Sequence, residues 1–399
     1  MALRIYNTRT RRMAAFRADG PVRMYVCGPT VYAPSHMGHA RSYVAFDVIR
    51  RYLEFLGHPV RAVVNVTDVE DNITNRAREL GLSPADLAAK VADAWLADLA
   101  ALGVRPADAN PRVSDHIPEI VAVAEDLVAA GQAYVVDGSV YMDTAKTGGF
   151  GILSHTDPLT AVVEEANAGP RKHPLDFAIW RRAKPGHPSW DSPWGPGYPG
   201  WHIECYAMAR KHLGTVDLHG GGRDLIYPHH ESENVIARAH AGTDFARVWM
   251  HNGYLTLETE KMSKSLGNVI PIRDVLAAYP GEVVRLCLAK IHYRENVEYD
   301  KDCFHITAVE LQTIRDAVAH ARSVATAKTA NLVVAKLVDR TRHAFLAAMD
   351  DDFDTNTAFY TLLQFAEALL AVKGMSAEDR DGVLAAVGDF GTIFGVRFA

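Results

Sequence analysis

Cysteine is scarce in this 399-residue chain: Cys27, Cys205, Cys287 and Cys303 are the whole set, with no CxxC pair among them. Four are too few for a disulfide framework at this size, so reduced thiols are expected, and any metal use must be assembled from distant positions. Long apolar runs are missing too. Nothing approaches the roughly 20 apolar residues of a membrane-spanning helix, and the N-terminus MALRIYNTRTRRM lacks a signal-peptide core. A cytoplasmic protein with no membrane partner is expected. There is no basic excess: 42 Lys and Arg against 48 Asp and Glu leave a net charge of −6. That argues against a generally basic nucleic-acid binder and leaves room for a local basic groove only. The last 99 residues carry 10 Lys and Arg against 13 Asp and Glu, so no basic tail is present. No internal repeat or low-complexity tract is found.

What is there is ordinary globular composition, 48% hydrophobic and 23% charged, in a chain long enough for two or three domains. RMYVC (23–27) reads as a buried strand ending in the turn Gly28-Pro29-Thr30. Gly38–Leu56 reads as a helix, with apolar Val44, Phe46, Val48, Ile49, Leu53 and Leu56, closed by Gly57-His58-Pro59. PVRAVVNV (59–66) is a second strand, and this β-α-β unit predicts a parallel sheet. Helices are predicted over 71–80, 84–102 and 117–130, and a hairpin over 133–143 turning at Asp137-Gly138. The Pro-, Gly- and Trp-rich stretch 169–200 is expected to be ordered loop. The α/β pattern returns over 201–301, and from Phe304 the chain reads as helical, with breaks near Lys328, 351–355 and Gly374. The predicted fold is α/β: a Rossmann-like doubly wound parallel sheet split by an insertion, then an all-helical C-terminal domain. The expected division is 1–114 and 201–303 for the two halves of the sheet domain, 115–200 for the insertion and 304–399 for the helical bundle.

Two short motifs carry chemistry. His36-Met37-Gly38-His39 lies where a strand and turn open a helix. Free N–H groups and the positive helix end there suit a phosphate, the histidines add donors, and Gly38 allows close approach. Alone, the pattern is a weak signal and reads more readily as histidines on a surface turn. Lys261-Met262-Ser263-Lys264-Ser265 sets two lysines three apart in a short loop, as mobile charges able to follow a departing pyrophosphate. Alone, that pattern reads more readily as a solvated loop. Together, each supplies the other's missing partner, and the pair points to cleavage of ATP at its α-phosphate with adenylation of a second substrate.

A metal set is also readable. His229 and Glu233 in PHHESE have i,i+4 spacing and share a helix face, Cys205 precedes a helix in GWHIEC, and Cys27 ends the first strand. Two thiolates, an imidazole and a carboxylate suit zinc, with buried core cysteines as the other reading. His230 is the alternate to His229. HGGGRDL (219–225) reads either as backbone brought close to adenosine or as a tight turn, and Asp68, Glu70 and Asp71 either as site carboxylates or as a solvated helix start.

HMGH and KMSKS resemble the signatures of class I aminoacyl-tRNA synthetases. The segments MYVCGPTVYAPSHMGHARSYVAFDVIRRYLEFLG, NVTDVEDNITNRA, PLDFAIWRRAKPG, SPWGPGYPGWHIEC, HGGGRDLIYPHHESE and MDDDFDTNTA narrow this to the cysteinyl-tRNA synthetases, over about residues 3–395. The resemblance implies Cys27, Cys205, His229 and Glu233 as ligands of one zinc, with Cys287 and Cys303 left as core or helix-surface thiols. It implies His36, His39, Lys261 and Lys264 as catalytic groups, and Thr30, His36, Gly38, His39, Gly221 and Lys264 against ATP, which binds with Mg²⁺. It implies Cys27, Thr67, Trp201, His219 and Asp224 around cysteine, Asp224 holding the ammonium group. The implied reaction is cysteinyl-adenylate formation followed by transfer to the 3′ end of tRNA(Cys), with direct thiolate–metal bonding discriminating by about 10⁴ without editing. A monomer meeting tRNA through the acceptor stem is implied.

The sequence stops at FGTIFGVRFA, near the end of the helical domain, where the family usually continues into an anticodon-binding domain. It is therefore read as a minimal synthetase, as a chain that is a fragment or needs a partner, or as a ligase with another acceptor. The last would resemble the mycothiol-pathway enzyme, which joins cysteine to the amine of a glucosaminyl-inositol; a carrier protein is a further candidate acceptor. A catalytically inactive RNA- or protein-binding relative is the non-enzymatic alternative.

Overall fold

The computed structural model describes residues 2–161, 163, 169–257, 260–262 and 269–398. In chain order these form β1 (Arg4–Asn7), β2 (Arg12–Ala15), β3 (Val22–Val26), α1 (Met37–Phe55), β4 (Val60–Val64), α2 (Asp71–Leu80), α3 (Pro84–Ala101), α4 (Ile117–Ala129), β5 (Ala133–Val136), β6 (Ser139–Met142), α5 (Thr144–Thr147), β7 (Ala178–Arg182) and β8 (Gly197–Pro199). Then follow α6 (Trp201–Leu213), β9 (Val216–Gly222), α7 (Glu231–Ala241), β10 (Ala246–Asn252), β11 (Leu255–Leu257), β12 (Glu260–Lys261), α8 (Ile272–Ala278), α9 (Gly281–Ala289), β13 (Val297–Glu298), α10 (Asp302–Ser323), α11 (Leu332–Asp350), α12 (Thr355–Leu370) and α13 (Ala377–Phe394).

The central sheet has the order β10-β9-β3-β4 and is parallel throughout. β3 and β4 come from the first half of the chain, β9 and β10 from the second, so the β3–β9 pairing joins what the insertion separates. Met24 pairs with Leu218 and Val26 with Gly220. Apolar helices cover both faces, as a parallel sheet requires. Ligands of such sheets bind beyond the strand C-termini where the order reverses, which here is the end of β3 and β9.

The stretch 169–200 departs from the expected loop. It supplies β7 and β8, which extend the β5–β6 hairpin into an antiparallel sheet of order β5-β6-β7-β8. Gly200 explains why glycine is spent there: a Cβ would sit 1.8 Å from Ala178 O. The glycines of HGGG likewise lie within β9, rather than in a turn after it.

The cysteines also depart from expectation. Cys287 on α9 and Cys303 on α10 are joined by a disulfide, because the packing of these two helices brings their Cα atoms to 6.3 Å. Cys27 and Cys205 are free and buried. Helices α10–α13 pack as a bundle whose last turn reaches the sheet domain: Arg285 of α9, 1% exposed, donates to Phe394 O and to Asp47 Oδ2 of α1. No helix among the described residues is long and apolar enough to cross a membrane.

Candidate active site and metal centre

At the C-terminal ends of β3 and β9 a cleft of about 360 Å³ opens. Its rim is the start of α1. His36 caps this helix: its Nδ1 accepts from Gly38 N at 3.1 Å, while His39 Nδ1 accepts from His36 N at 3.2 Å. Each ring therefore uses Nδ1 as acceptor, which leaves Nε2 as the hydrogen-bearing nitrogen. The two rings lie 4.0 Å apart, and both residues line the cleft. Histidine is an unusual cap, and the arrangement occupies the first N–H groups of the helix while presenting two Nε2–H donors at its positive end.

The second signature falls mostly outside the described residues, Lys264 included. Its flanks are described. Met262 is buried, lines the cleft and accepts from Ile270 N at its Sδ, 3.5 Å away. Met37 N donates to Ile270 O and Ile272 N to Ser35 O, so the chain leaving one signature is laced to the chain entering the other. Lys261 belongs to β12, paired with β11.

The cleft floor holds the four expected ligand residues, whose donor atoms all lie within 4.8 Å of one another. Cys27 Sγ is 3.8 Å from Cys205 Sγ and 3.7 Å from Glu233 Oε1, and Cys205 Sγ is 3.6 Å from His229 Nε2. A tetrahedral zinc with its usual bond lengths needs S···S edges of about 3.8 Å and S···N or S···O edges of about 3.6 Å. Of the six edges of such a tetrahedron these three fit, and a fourth, His229 Nε2 to Glu233 Oε1 at 3.0 Å, is a hydrogen-bond distance. Cys27, Cys205 and His229 line the cleft, and the Trp201 ring stacks on His229 at 4.2 Å.

His230 faces elsewhere. Its Nε2 lies 3.2 Å from Cys27 Sγ and its Nδ1 2.8 Å from His251 Nε2, whose Nδ1 lies 2.8 Å from Thr8 Oγ1. It belongs to a second, overlapping cation-capable group with Cys27, His219 and Glu233. His219, expected along the substrate pocket, is fully buried behind it: Nδ1 is 3.0 Å from Tyr25 O and Nε2 2.8 Å from Glu233 Oε2. Glu233 is enclosed as well, one helical turn on from His229. Gly221 does not line the cleft either; a Cβ there would meet the His230 ring at 2.9 Å, and Gly222 forms the wall. Thr30, Thr67, Trp201 and Asp224 all line the cleft.

Electrostatics sort these groups. Burial, then Cys205 and Glu233, push the Cys27 thiol well above its ordinary value. The hydrogen bond from Cys27 overcomes burial and brings Cys205 down to about 7. Burial opposes charge on His229, yet Glu233 and Cys205 raise it to about 10. Burial likewise opposes charge on Glu233, but His229, His219 and His230 hold it well below the carboxylate range. A bound cation takes the place of these protons, so its affinity depends on pH.

Several lining groups carried no sequence signal. Asn252, at the C-terminal end of β10, is 4% exposed with an Oδ1 that has no hydrogen-bond partner among the described residues. Tyr43 lines the cleft from α1, its hydroxyl 3.4 Å from Cys27 O. Glu204, beside Cys205 but off the cleft lining, is fully buried and pushed well above the carboxylate range by burial first and by Cys205 next. Asp71 opens α2, in line with the helix-start reading, and accepts from Tyr198 OH at 2.9 Å and Lys184 Nζ at 3.1 Å, tying α2 to the insertion. Glu70 caps α2 and Asp68 accepts from Ser114.

Known proteins resemble this chain along most of its length. The family model for the tRNA synthetases class I (C) catalytic domain matches residues 14–309. A cysteine–tRNA ligase of Pelotomaculum thermopropionicum is 46% identical over 95% of this chain and 81% of its own length. One from Thermococcus gammatolerans is 41% identical over 99% of this chain and 87% of its own. Among solved structures, Mycobacterium tuberculosis methionyl-tRNA synthetase bound by methionyl-adenylate superposes with a TM-score of 0.70 at 17% identity, covering 94% of this chain and 92% of that one. A putative arginyl-tRNA synthetase from Campylobacter jejuni gives 0.63 at 14% identity over 96% and 94%. These last two show a shared fold.

Proposed function

Because the chain belongs to the class I (C) tRNA synthetases, whose matched relatives are cysteine–tRNA ligases, we propose that its cleft activates L-cysteine with ATP and passes the cysteine to the 3′ end of tRNA(Cys). The observation that carries this is the floor of the cleft. Two thiols, an imidazole and a carboxylate gather with donor atoms within 4.8 Å of one another beside a helix start that presents two histidines.

Zinc held by Cys27, Cys205, His229 and Glu233 supplies, when bound, a site that takes a thiolate and refuses a hydroxyl. The protein's own groups do the rest. Trp201 covers His229 and keeps water from the floor. Asp224, on the cleft wall, pairs with the substrate ammonium, and Thr67 stands beside it. The cysteine carboxylate, left pointing outward, attacks the α-phosphate of ATP, whose magnesium ion travels with it. His36 and His39 donate from Nε2 to the phosphoryl oxygens at the positive end of α1. Lys261 and Lys264 follow the pyrophosphate out. Thr30 and Gly222 stand toward the nucleotide, with Gly221 behind the wall that Gly222 forms. The orphan Oδ1 of Asn252 supports a donor from the nucleoside at the end of β10. The rate comes from positioning and charge stabilisation, since no protein group forms a bond to the substrate.

The sheet domain (1–114 and 201–303), the insertion (115–200) and the helical bundle (304–399) are taken as separate units, and the chain as a monomer that meets tRNA through its acceptor stem. Cysteine-dependent exchange of pyrophosphate into ATP tests the first step. It should vanish in Cys205→Ser, together with one equivalent of zinc; exchange that ignores cysteine would sink the reading. Labelled cysteine offered with tRNA(Cys) or with glucosaminyl-inositol tests the second, and transfer to the sugar amine alone would reassign the acceptor.

A further inference from the structure

We propose that Cys287 and Cys303 form a reversible thiol–disulfide modification site, exchanging with small-molecule thiols and disulfides, whose state sets the alignment of the ATP cleft. This rests on the adenylate-forming reading of that cleft. The bond closes the loop from α9 to α10, and within it the segment 292–299 receives supports from three parts of the site. From α1, just beyond His39, Arg41 donates Nη2 to His292 O at 3.0 Å and Glu295 O at 2.6 Å. From behind HGGG, Arg223 donates to Arg294 O at 2.7 Å. From the chain entering the second signature, Gly253 N donates to Tyr293 O at 2.8 Å and Tyr254 N to Asn296 Oδ1 at 3.0 Å. Val297 N returns a bond to Tyr254 O, Tyr299 N one to Thr256 O, and β13 pairs with β11.

These contacts have little slack. Arg41 is 1% exposed, and a Cβ on Gly253 would lie 2.1 Å from Glu295 O. Tethering both ends of the loop removes alternative paths for 292–299, and opening the tether restores them. The tether is reachable from one side. Cys303 is half-buried and Cys287 is 4% exposed, so an outside thiolate meets Cys303 first. One thiolate of a dithiol attacks Cys303 Sγ, the S–S bond breaks, and Cys287 leaves as a thiolate that takes up a proton. The second thiol attacks the mixed disulfide and frees Cys303. Two electrons pass to the protein and the dithiol becomes its own disulfide; a small-molecule disulfide reverses the sequence.

The test uses the full chain. Alkylation in denaturant followed by mass measurement should count two reactive cysteines without reductant and four after it. Opening the bond should raise KM for ATP about three- to tenfold in cysteine-dependent exchange, with KM for cysteine nearly unchanged, and should speed amide exchange in 292–299. Cys303→Ser should behave as the reduced protein in either condition, and Cys287→Ala repeats the test if the serine variant misfolds. Any reductant effect on Cys27 or Cys205 appears in these variants too and is subtracted. Four reactive cysteines without reductant, an unchanged KM for ATP, or a Cys303→Ser whose KM for ATP shifts with redox state as much as the parent's would each overturn the proposal. If exchange shows no cysteine dependence, the functional reading falls instead, and the thiol count and amide exchange still decide this one.

Discussion

Replacing His219 by phenylalanine removes the support behind the metal-ligand set while leaving a ring in its place. His219 is fully buried, and its Nε2 lies 2.8 Å from Glu233 Oε2. Glu233 keeps its Oε1 contact with His229 in the variant, but Oε2 then faces carbon. Stranding part of a buried carboxylate costs about 1–3 kcal/mol. Losing the partner that orients a metal ligand typically weakens metal binding about 10–100-fold, or about 1.4–2.7 kcal/mol. The two routes agree, so zinc affinity should fall about 10–100-fold, with one equivalent still bound at high zinc. The phenyl ring enters an aromatic surround, with Phe245 and Trp249 centred 4.8 Å from the imidazole. Competition with a chromophoric chelator measures the affinity, and thermal unfolding in excess zinc controls for folding. A well-folded His219→Phe protein whose zinc affinity stays within about twofold of the parent would refute the claim that this contact organises Glu233.

Asp47→Asn should destabilise the protein by about 3–5 kcal/mol near pH 7, because it leaves the Arg285 guanidinium buried without its carboxylate. Burial opposes charge on Asp47, but Arg285 and Arg51 hold it below its ordinary value. Its contribution is therefore present above the unfolded carboxylate pKa of about 3.9 and lost as pH falls through the folded value, so urea unfolding should show the gap closing in acid. Gly28→Ala should fail to hold metal, since its Cβ would fall 1.5 Å from Asn65 O and force β3 from β4 beside Cys27; zinc content near the parent's would contradict this. Trp201→Ala removes the ring stacked on His229 and should raise KM for cysteine about 2–10-fold, the equivalent of about 0.5–1.5 kcal/mol, with KM for ATP as the internal control.

Local signals were legible wherever a short stretch carries its own period and stops. Helix α2 runs Asp71–Leu80 as its pattern indicates, and the first β-α-β unit lies within a residue or two of its expected bounds. The stretch 169–200 was opaque because β7 and β8 are short and their partners lie far along the chain, while their Pro, Gly and Trp content mimics a loop. Motif residues were legible as a set, yet their depth was not: Thr67, Trp201 and Asp224 line the cleft, whereas His219 and Gly221 lie behind its wall.

The sequence by itself determined the parallel α/β frame and the helix start with its two histidines, which follow from periodicity and capping acting over a few positions; Cys27, Cys205, His229 and Glu233 stood out as a candidate ligand set through the family resemblance. Only the tertiary structure decided that Cys287 meets Cys303, that His229 rather than His230 faces the cleft, and that Arg41, Arg223 and Gly253 converge on 292–299. Those facts depend on how distant helices and strands pack, and packing distances are not written in any local stretch of chain.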